Sequence, residues 1–280
     1  MSKKWNMIVD IEPCNNCRGC FLAVKDEHTG NDFPGYSAAQ PAMGANWLDI
    51  ERKERGEYPI VDAHFMPVMC NHCDDAPCLE KGGDAVKKRA DGIVIIDPDK
   101  AKGRKDLVEA CPYGAISWNE ELELPQTWIF DAHLLDDGWK ETRLEQSCPV
   151  DVFKSVKVSD AEMQKIAEDE GLEVLQPELG TKPRVYYKNK YLFDKVFVGG
   201  TVVAVLDGVE DCVAEAEVVL KQGGNEVARA VTDTFGEFKI DKLEPGSGDY
   251  DIEVTSTAGK VSQSVSVGDD SVYVGVLTAA

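Results

Sequence analysis

Cys70-Asn71-His72-Cys73-Asp74-Asp75-Ala76-Pro77-Cys78, answered further along by Glu109-Ala110-Cys111-Pro112-Tyr113-Gly114-Ala115-Ile116, is the stretch whose reading decides the fold. A C-x2-C-x4-C loop followed at a distance by Cys-Pro is a pattern that holds a four-iron cube, three thiolates from the loop and the fourth from another motif. The loop has to wrap one face of the cube, and backbone amides in its turns then point at sulfur and moderate the charge. Pro112 has no amide hydrogen, so it ends the helix expected over Asp99–Ala110 that delivers Cys111. Cys70, Cys73, Cys78 and Cys111 also make up the tetrahedral all-thiolate set of a zinc site. The Cys-Pro ending with Gly114-Ala115 behind it favours the iron–sulfur reading.

A second loop lies nearer the start. Asn6 to Glu12 reads as a short strand, and Cys14-Asn15-Asn16-Cys17-Arg18-Gly19-Cys20 follows it, with a helix from about Phe21. Strand, C-x2-C-x2-C and helix form the first half of a bacterial ferredoxin repeat, in which a fourth Cys comes three residues later. That position is Val24 here. Ser147-Cys148-Pro149 is the other Cys-Pro of the chain.

Composition bounds the remainder. The 280 residues suffice for two domains with separate cores. Met1 to Asp10 carries no apolar stretch of signal-peptide length, and no run approaches the ~18 apolar residues of a membrane span. A soluble, cytoplasmic protein is expected. Nine cysteines in such a chain point to metal ligands before disulfides. A net charge of −21 argues against nucleic acid and anionic membranes as partners.

Between the motifs, Trp47 to Glu51 alternates as a strand, and Arg52, Lys53, Arg55 and the neighbouring glutamates form either a solvated face or a docking surface. Ala85–Arg89 and Gly92–Asp97 flank a tight turn at Asp91-Gly92. Gly114 to Asn119 returns as a strand. Ser159-Asp160-Ala161-Glu162 is a capping box, opening a helix to about Glu170 that stops at Gly171. Gln176 to Asn189 reads as an extended, proline-punctuated connector. From about Val196, seven short strands with turn residues between them predict a β-sandwich. That region holds 15 acidic and 5 basic side chains, no His, and one cysteine, Cys212, expected to be a buried structural thiol.

Asp91-Gly92-Ile93-Val94-Ile95-Ile96-Asp97-Pro98-Asp99-Lys100, followed by Ala110-Cys111-Pro112-Tyr113-Gly114-Ala115-Ile116, resembles the iron–sulfur subunits of the dimethyl-sulfoxide-reductase superfamily. Those subunits carry four Cys motifs and four clusters. The resemblance implies cysteines at Gly82, Ala101, Arg104 and Leu107, four positions that serve one cluster and are all vacant here. It implies a second vacant set at Val24, Trp128, Asp131 and Leu144. What survives is two full quartets: Cys14, Cys17, Cys20 with Cys148, and Cys70, Cys73, Cys78 with Cys111. Two [4Fe–4S] clusters are therefore expected. His64, His72 and His133 are expected to pack or hydrogen-bond, and Asp131 lacks the further partners an iron ligand needs.

Asp32-Phe33-Pro34-Gly35-Tyr36, the connector and the paired losses narrow the resemblance to the small subunits of pyrogallol–phloroglucinol transhydroxylases. That resemblance implies a heterodimer whose separate large subunit binds molybdenum through two molybdopterin guanine dinucleotides. The large subunit moves a hydroxyl between trihydroxybenzenes without net redox change. The present chain would tune the metal's oxidation state and brace the large subunit, with no catalytic residue of its own. Arg184, Tyr186 and Tyr187 on the connector are expected either as anchors for that partner or as a seam between domains. The sandwich, by Thr232-Asp233-Thr234-Phe235-Gly236-Glu237-Phe238 and Leu243-Glu244-Pro245-Gly246, resembles transthyretin-like and carboxypeptidase-regulatory domains.

The expectation is thus an α+β chain: a double ferredoxin-like iron–sulfur domain over 1–158, a helix and connector over 159–195, and a sandwich over 196–280. The rivals are an electron-transfer subunit of another molybdenum oxidoreductase, such as an aromatic hydroxylase or reductive dehydroxylase, and a structural subunit with vestigial clusters.

Overall fold

A computed structural model describes residues 2–206 and 208–280. Its packing divides the chain into two units, Met1–Arg52 with Phe65–Lys190 and Lys53–His64 with Tyr191–Ala280.

The first unit begins with β1 (Lys4–Asp10), α1 (Gly19–His28), the hairpin strands β2 (Leu48–Glu57) and β3 (Ile60–Met69), α2 (Pro77–Gly82), and the pair β4 (Val86–Lys88) and β5 (Val94–Ile96). It continues through α3 (Pro98–Ala101), β6 (Ser117–Asn119), β7 (Leu124–Gln126), α4 (Ala132–Asp136), α5 (Arg143–Ser147), β8 (Phe153–Val158), α6 (Asp160–Glu170) and β9 (Val185–Lys188). The hairpin's outer part, Lys53–His64, groups with the second unit. β1 is the middle strand of a three-stranded sheet, antiparallel to β8 and parallel to β9. A central strand covered on both faces reads as a continuous apolar run, which is why Met7, Ile8 and Val9 are all buried.

Three expectations change here. Gln176–Asn189 is no free connector, since β9 hydrogen-bonds along β1 and buries Arg184 and Tyr187. Arg184 meets Asn6, Asp74 and Asp160 within this unit, and Tyr187 donates to the Pro67 carbonyl, so neither side chain is an exposed anchor. The helix expected over Asp99–Ala110 stops at Ala101, because Gly103 takes φ 76° and turns the chain. A 3-10 turn at Lys105–Leu107 then carries the chain to Cys111. The strand expected over Gly114–Asn119 is confined to Ser117–Asn119. The capping box forms as read: Ser159 accepts from the Glu162 amide, Glu162 accepts from the Ser159 amide, and α6 ends on left-handed Gly171.

Among its described residues the second unit contains, besides the outer part of that hairpin, a short helix, α7 (Tyr191–Asp194), and eight strands: β10 (Val196–Leu206), β11 (Val209–Cys212), β12 (Glu217–Gln222), β13 (Asn225–Val231), β14 (Glu237–Leu243), β15 (Gly248–Ser256), β16 (Gly259–Val267) and β17 (Val272–Ala279). One sheet runs β11-β10-β14, with β17 parallel on the other side of β10, and the second runs β13-β12-β15-β16. Along β15, Tyr250, Ile252 and Val254 face the core while Asp249, Asp251 and Glu253 face out, the period-two signature of a half-buried strand. β11 is the strand the sequence reading lacked, its residues being exposed throughout. Cys212 ends it and is exposed, which corrects the buried thiol expected there.

The same unit corrects the reading of the charged stretch. Arg55 is buried, with a side chain 1% exposed, and its guanidinium bonds Asp62 and Asp241 through both of its terminal nitrogens and Nε, at 2.9 to 3.1 Å. Its Nη1 also donates to the Lys195 carbonyl, and the guanidinium lies over the Phe197 ring. Gly56 lets this arm close up: a Cβ there would stand 2.3 Å from the Ile60 carbonyl oxygen and 2.5 Å from the Phe197 ring.

Candidate metal centres

The first loop brings three thiols together by unusual backbone. Asn16 and Arg18 both take φ 58°, a left-handed conformation that folds the loop back and turns its amides inward. The Asn16 amide bonds Cys14 sulfur and the Phe21 amide bonds Cys20 sulfur. Gly19 starts α1 where the chain before Cys148 crosses it: a Cβ on Gly19 would stand 3.1 Å from the Ser147 carbonyl oxygen and 3.7 Å from Cys17 Sγ. Cys148 thereby joins the loop, and the Val152 amide donates to its sulfur at 3.3 Å. Burial, opposed by the amide bonds and reinforced by the neighbouring cysteines, raises the Cys14 thiol and pushes Cys20 up to about 12.

The second set is deeper. Cys70, Cys73, Cys78 and Cys111 line one cavity with Tyr113 and His72. Pro77 at the first turn of α2 sets the helix that carries Cys78. Burial and the other thiols of the set raise Cys70 and Cys73 and push Cys78 up to about 11. Thiols raised in this way do not stand as bare thiolates at neutral pH, whereas a metal deprotonates a coordinating thiol outright. Four thiols gathered around one cavity are the donors that an iron–sulfur centre takes, so the donor set fits the group.

The surroundings of Cys73 went unread in the sequence. Tyr113 OH lies 2.5 Å from Thr181 Oγ1, and both hydroxyls reach the Cys73 sulfur. The chain at Thr181 is placed there by backbone pairing, the Asp75 amide to the Thr181 carbonyl and the Asp74 amide to the Lys182 carbonyl. Lys88 Nζ donates to the His72 and Cys73 carbonyls at 2.6 and 3.0 Å and pairs with Asp74 at 2.9 Å. Burial pushes this ammonium down from its usual range while Asp74 pulls it back up. The alternation of β4 was the available signal, since it puts Lys88 on the same side as buried Val86.

The three histidines singled out in the sequence each meet a protein group. His72 Nδ1 accepts the Val94 amide at 3.1 Å, and burial followed by the charges of Lys88 and Arg184 holds the ring well below its ordinary range. His133 Nε2 lies 2.9 Å from Glu27, and His64 lies 3.4 Å from Asp62.

The positions vacant of cysteine are packed. Val24, Trp128, Asp131 and Leu144 are all buried. Asp131 accepts from Trp128 Nε1 at 3.2 Å and from the Arg143 amide at 2.8 Å. Ala101 and Leu107 lie in the core beside Val86, while Arg104 turns out to Asp106. A Cβ at Gly82 would meet Val86 Cγ2 at 2.3 Å. Gly82→Ala is accordingly expected to destabilise the first unit by about 1–3 kcal/mol through overpacking, read as a lower urea midpoint. An unchanged midpoint would show that Val86 yields freely.

Two cysteine loops, each reached by a Cys-Pro, define an iron–sulfur protein of the ferredoxin type. A family profile described as a 4Fe-4S dicluster domain matches residues 61–158. The chain belongs to the family of the pyrogallol hydroxytransferase small subunit. It is 46% identical to that subunit of Pelobacter acidigallici over 278 residues, covering 98% of this chain and 99% of the relative. It is 33% identical to the arsenate respiratory reductase iron–sulfur subunit of Shewanella sp. (strain ANA-3) over 133 residues, 47% of this chain and 52% of that one. It is also 33% identical to the dimethylsulfide dehydrogenase subunit beta of Rhodovulum sulfidophilum over 165 residues, 57% of this chain and 50% of that one. Among the described residues no helix is long and apolar enough to cross a membrane.

Proposed function

We propose that this chain is the iron–sulfur subunit of a molybdenum transhydroxylase that acts on trihydroxybenzenes, converting pyrogallol to phloroglucinol. The observation that carries this reading is the 46% identity that runs through both units. Cys14, Cys17, Cys20 and Cys148 hold one [4Fe–4S] cluster, and Cys70, Cys73, Cys78 and Cys111 hold the other. Such clusters supply or accept one electron at a time. The chain's own part is to hold them, shield the deeper one from water and aim amides and hydroxyls at its sulfurs.

The chemistry on the ring belongs to a separate large subunit carrying molybdenum with two molybdopterin guanine dinucleotides, in a cytoplasmic heterodimer. The second unit is read as a transthyretin-like or carboxypeptidase-regulatory-like sandwich. Its role is to cover or brace the partner, because the sequence from Val196 onward has no His and no nucleophile–base set.

Expressed with its large subunit, the chain is expected to co-purify in a molybdenum-containing complex that transfers hydroxyl from tetrahydroxybenzene to pyrogallol. Alone it is expected to show no turnover. Turnover by the isolated chain overturns the non-catalytic role. A complex that turns over only with an external electron carrier favours another molybdenum oxidoreductase.

A further inference from the structure

We propose that Lys88, seconded by the Thr181 hydroxyl, sets the reduction potential of the centre held by Cys70, Cys73, Cys78 and Cys111, raising it by stabilising the reduced state. The proposal rests on the ligand assignment above and adds to it residues that bind no iron.

The charge is placed and held. Lys88 is four-fifths buried, on the strand next to the cysteine loop, and its ammonium caps the carbonyls of His72 and Cys73. Asp74 does not cancel it, because Asp74 is shared with Arg184 and Lys4. Arg184 and Lys4 both reach Asp160 as well, so three cations face two carboxylates beside the loop. From the other side, Thr181 is buried and its hydroxyl, in contact with Tyr113 OH, reaches Cys73 sulfur.

One-electron reduction adds a negative charge to a centre that already carries excess negative charge from its four thiolates. A fixed cation and a donated O–H bond both favour that added charge, more strongly in a site shielded from water. At the other centre Cys17 is exposed, and the nearby Arg18 is half exposed and 3.8 Å from Asp49, so its charge is screened by water and by that carboxylate. It therefore serves as an internal control.

The test is an EPR-monitored reductive titration with dithionite of the whole iron-loaded protein and of Lys88→Met, Lys88→Arg and Thr181→Val. Lys88→Met is expected to lower the midpoint of one of two signals by about tenfold in the reduction equilibrium, ~59 mV for a one-electron couple. The other signal stays put, and the iron content is unchanged. Lys88→Arg, which keeps the charge, is expected to restore most of the shift, an outcome that a merely structural lysine would not produce. Thr181→Val removes only a hydroxyl and is expected to lower the same midpoint by a smaller factor. It decides the matter if Lys88→Met fails to retain iron. An unmoved midpoint in an iron-replete Lys88→Met, or in Thr181→Val, overturns the proposal. A wild-type protein with a single signal and about four irons overturns the ligand assignment instead.

Discussion

Cys111→Ala is expected to damage the centre shared with Cys70, Cys73 and Cys78 and to leave the other intact, while Cys148→Ala does the reverse. Each loop supplies only three cysteines, so the fourth ligand has to come from a Cys-Pro far along the chain. The structure brings Cys111 to the cavity of the second loop. It brings Cys148 to the first loop by the close crossing of Gly19 over Ser147. Two cubes require about eight irons per wild-type chain. Either variant is expected to fall to between about four, if the centre is lost, and about seven, if a three-iron remnant stays. Iron and acid-labile sulfide analysis of anaerobically prepared protein reads the count, and EPR of the reduced protein shows which signal goes. A Cys111→Ala protein with both signals and full iron would refute the cross-ligation. A wild-type count near twelve would mean a third centre around Asp131. The packing speaks against that, because Asp131 already accepts two hydrogen bonds between buried Trp128 and Leu144.

What was legible in the sequence was whatever is local. The cysteine loops are fixed by spacing within nine residues, the α6 start by a capping box of four, and most sandwich strands by alternation. Long-range pairing was not legible. β9 carries Pro183 just before it and reads as linker, because its partner β1 lies some 178 residues away, as Met7 opposite Val185. Arg55 reads as solvent-facing in Glu51-Arg52-Lys53-Glu54-Arg55-Gly56-Glu57, since hydropathy cannot show that Asp241 will meet it. Gly103 looks tolerable in a helix until its positive φ is seen, and it splits the one expected before Cys111. β11 was missed because Val209-Glu210-Asp211-Cys212 buries nothing, leaving no periodicity to detect. Lys88 and Thr181 carry no motif at all. Their place beside the sulfurs follows from a strand face and a backbone pairing that only the folded chain supplies.

Arg55→Met is expected to be the most damaging single change outside the cysteines. The guanidinium is fully desolvated between Asp62 and Asp241, so the variant strands two carboxylates against each other and against the Phe197 ring. Removing one partner of a buried pair costs about 3–5 kcal/mol. Both carboxylates retain 22% exposure, and Lys239 also bonds Asp62 and lies 3.2 Å from Asp241, so a loss of about 2–3 kcal/mol is the better figure. For a unit of this size that is a drop of about 10–20 °C in its melting temperature. The acid limb gives an independent reading. Burial alone would raise the Asp62 carboxyl, but hydrogen bonds from Arg55 and Lys239 overcome it and hold the group at about 2. A carboxyl depressed in the folded state contributes stability above its unfolded value of ~3.9 and loses it as pH falls toward the folded one. Wild-type protein should therefore lose stability in the second unit between about pH 4 and 2, and Arg55→Met should show a shallower decline over the same range. Calorimetry across that range measures both. A melting temperature within a few degrees of wild type, with the same acid limb, would mean that Lys239 alone neutralises the pair and that Arg55 is not what holds the Lys53–His64 arm.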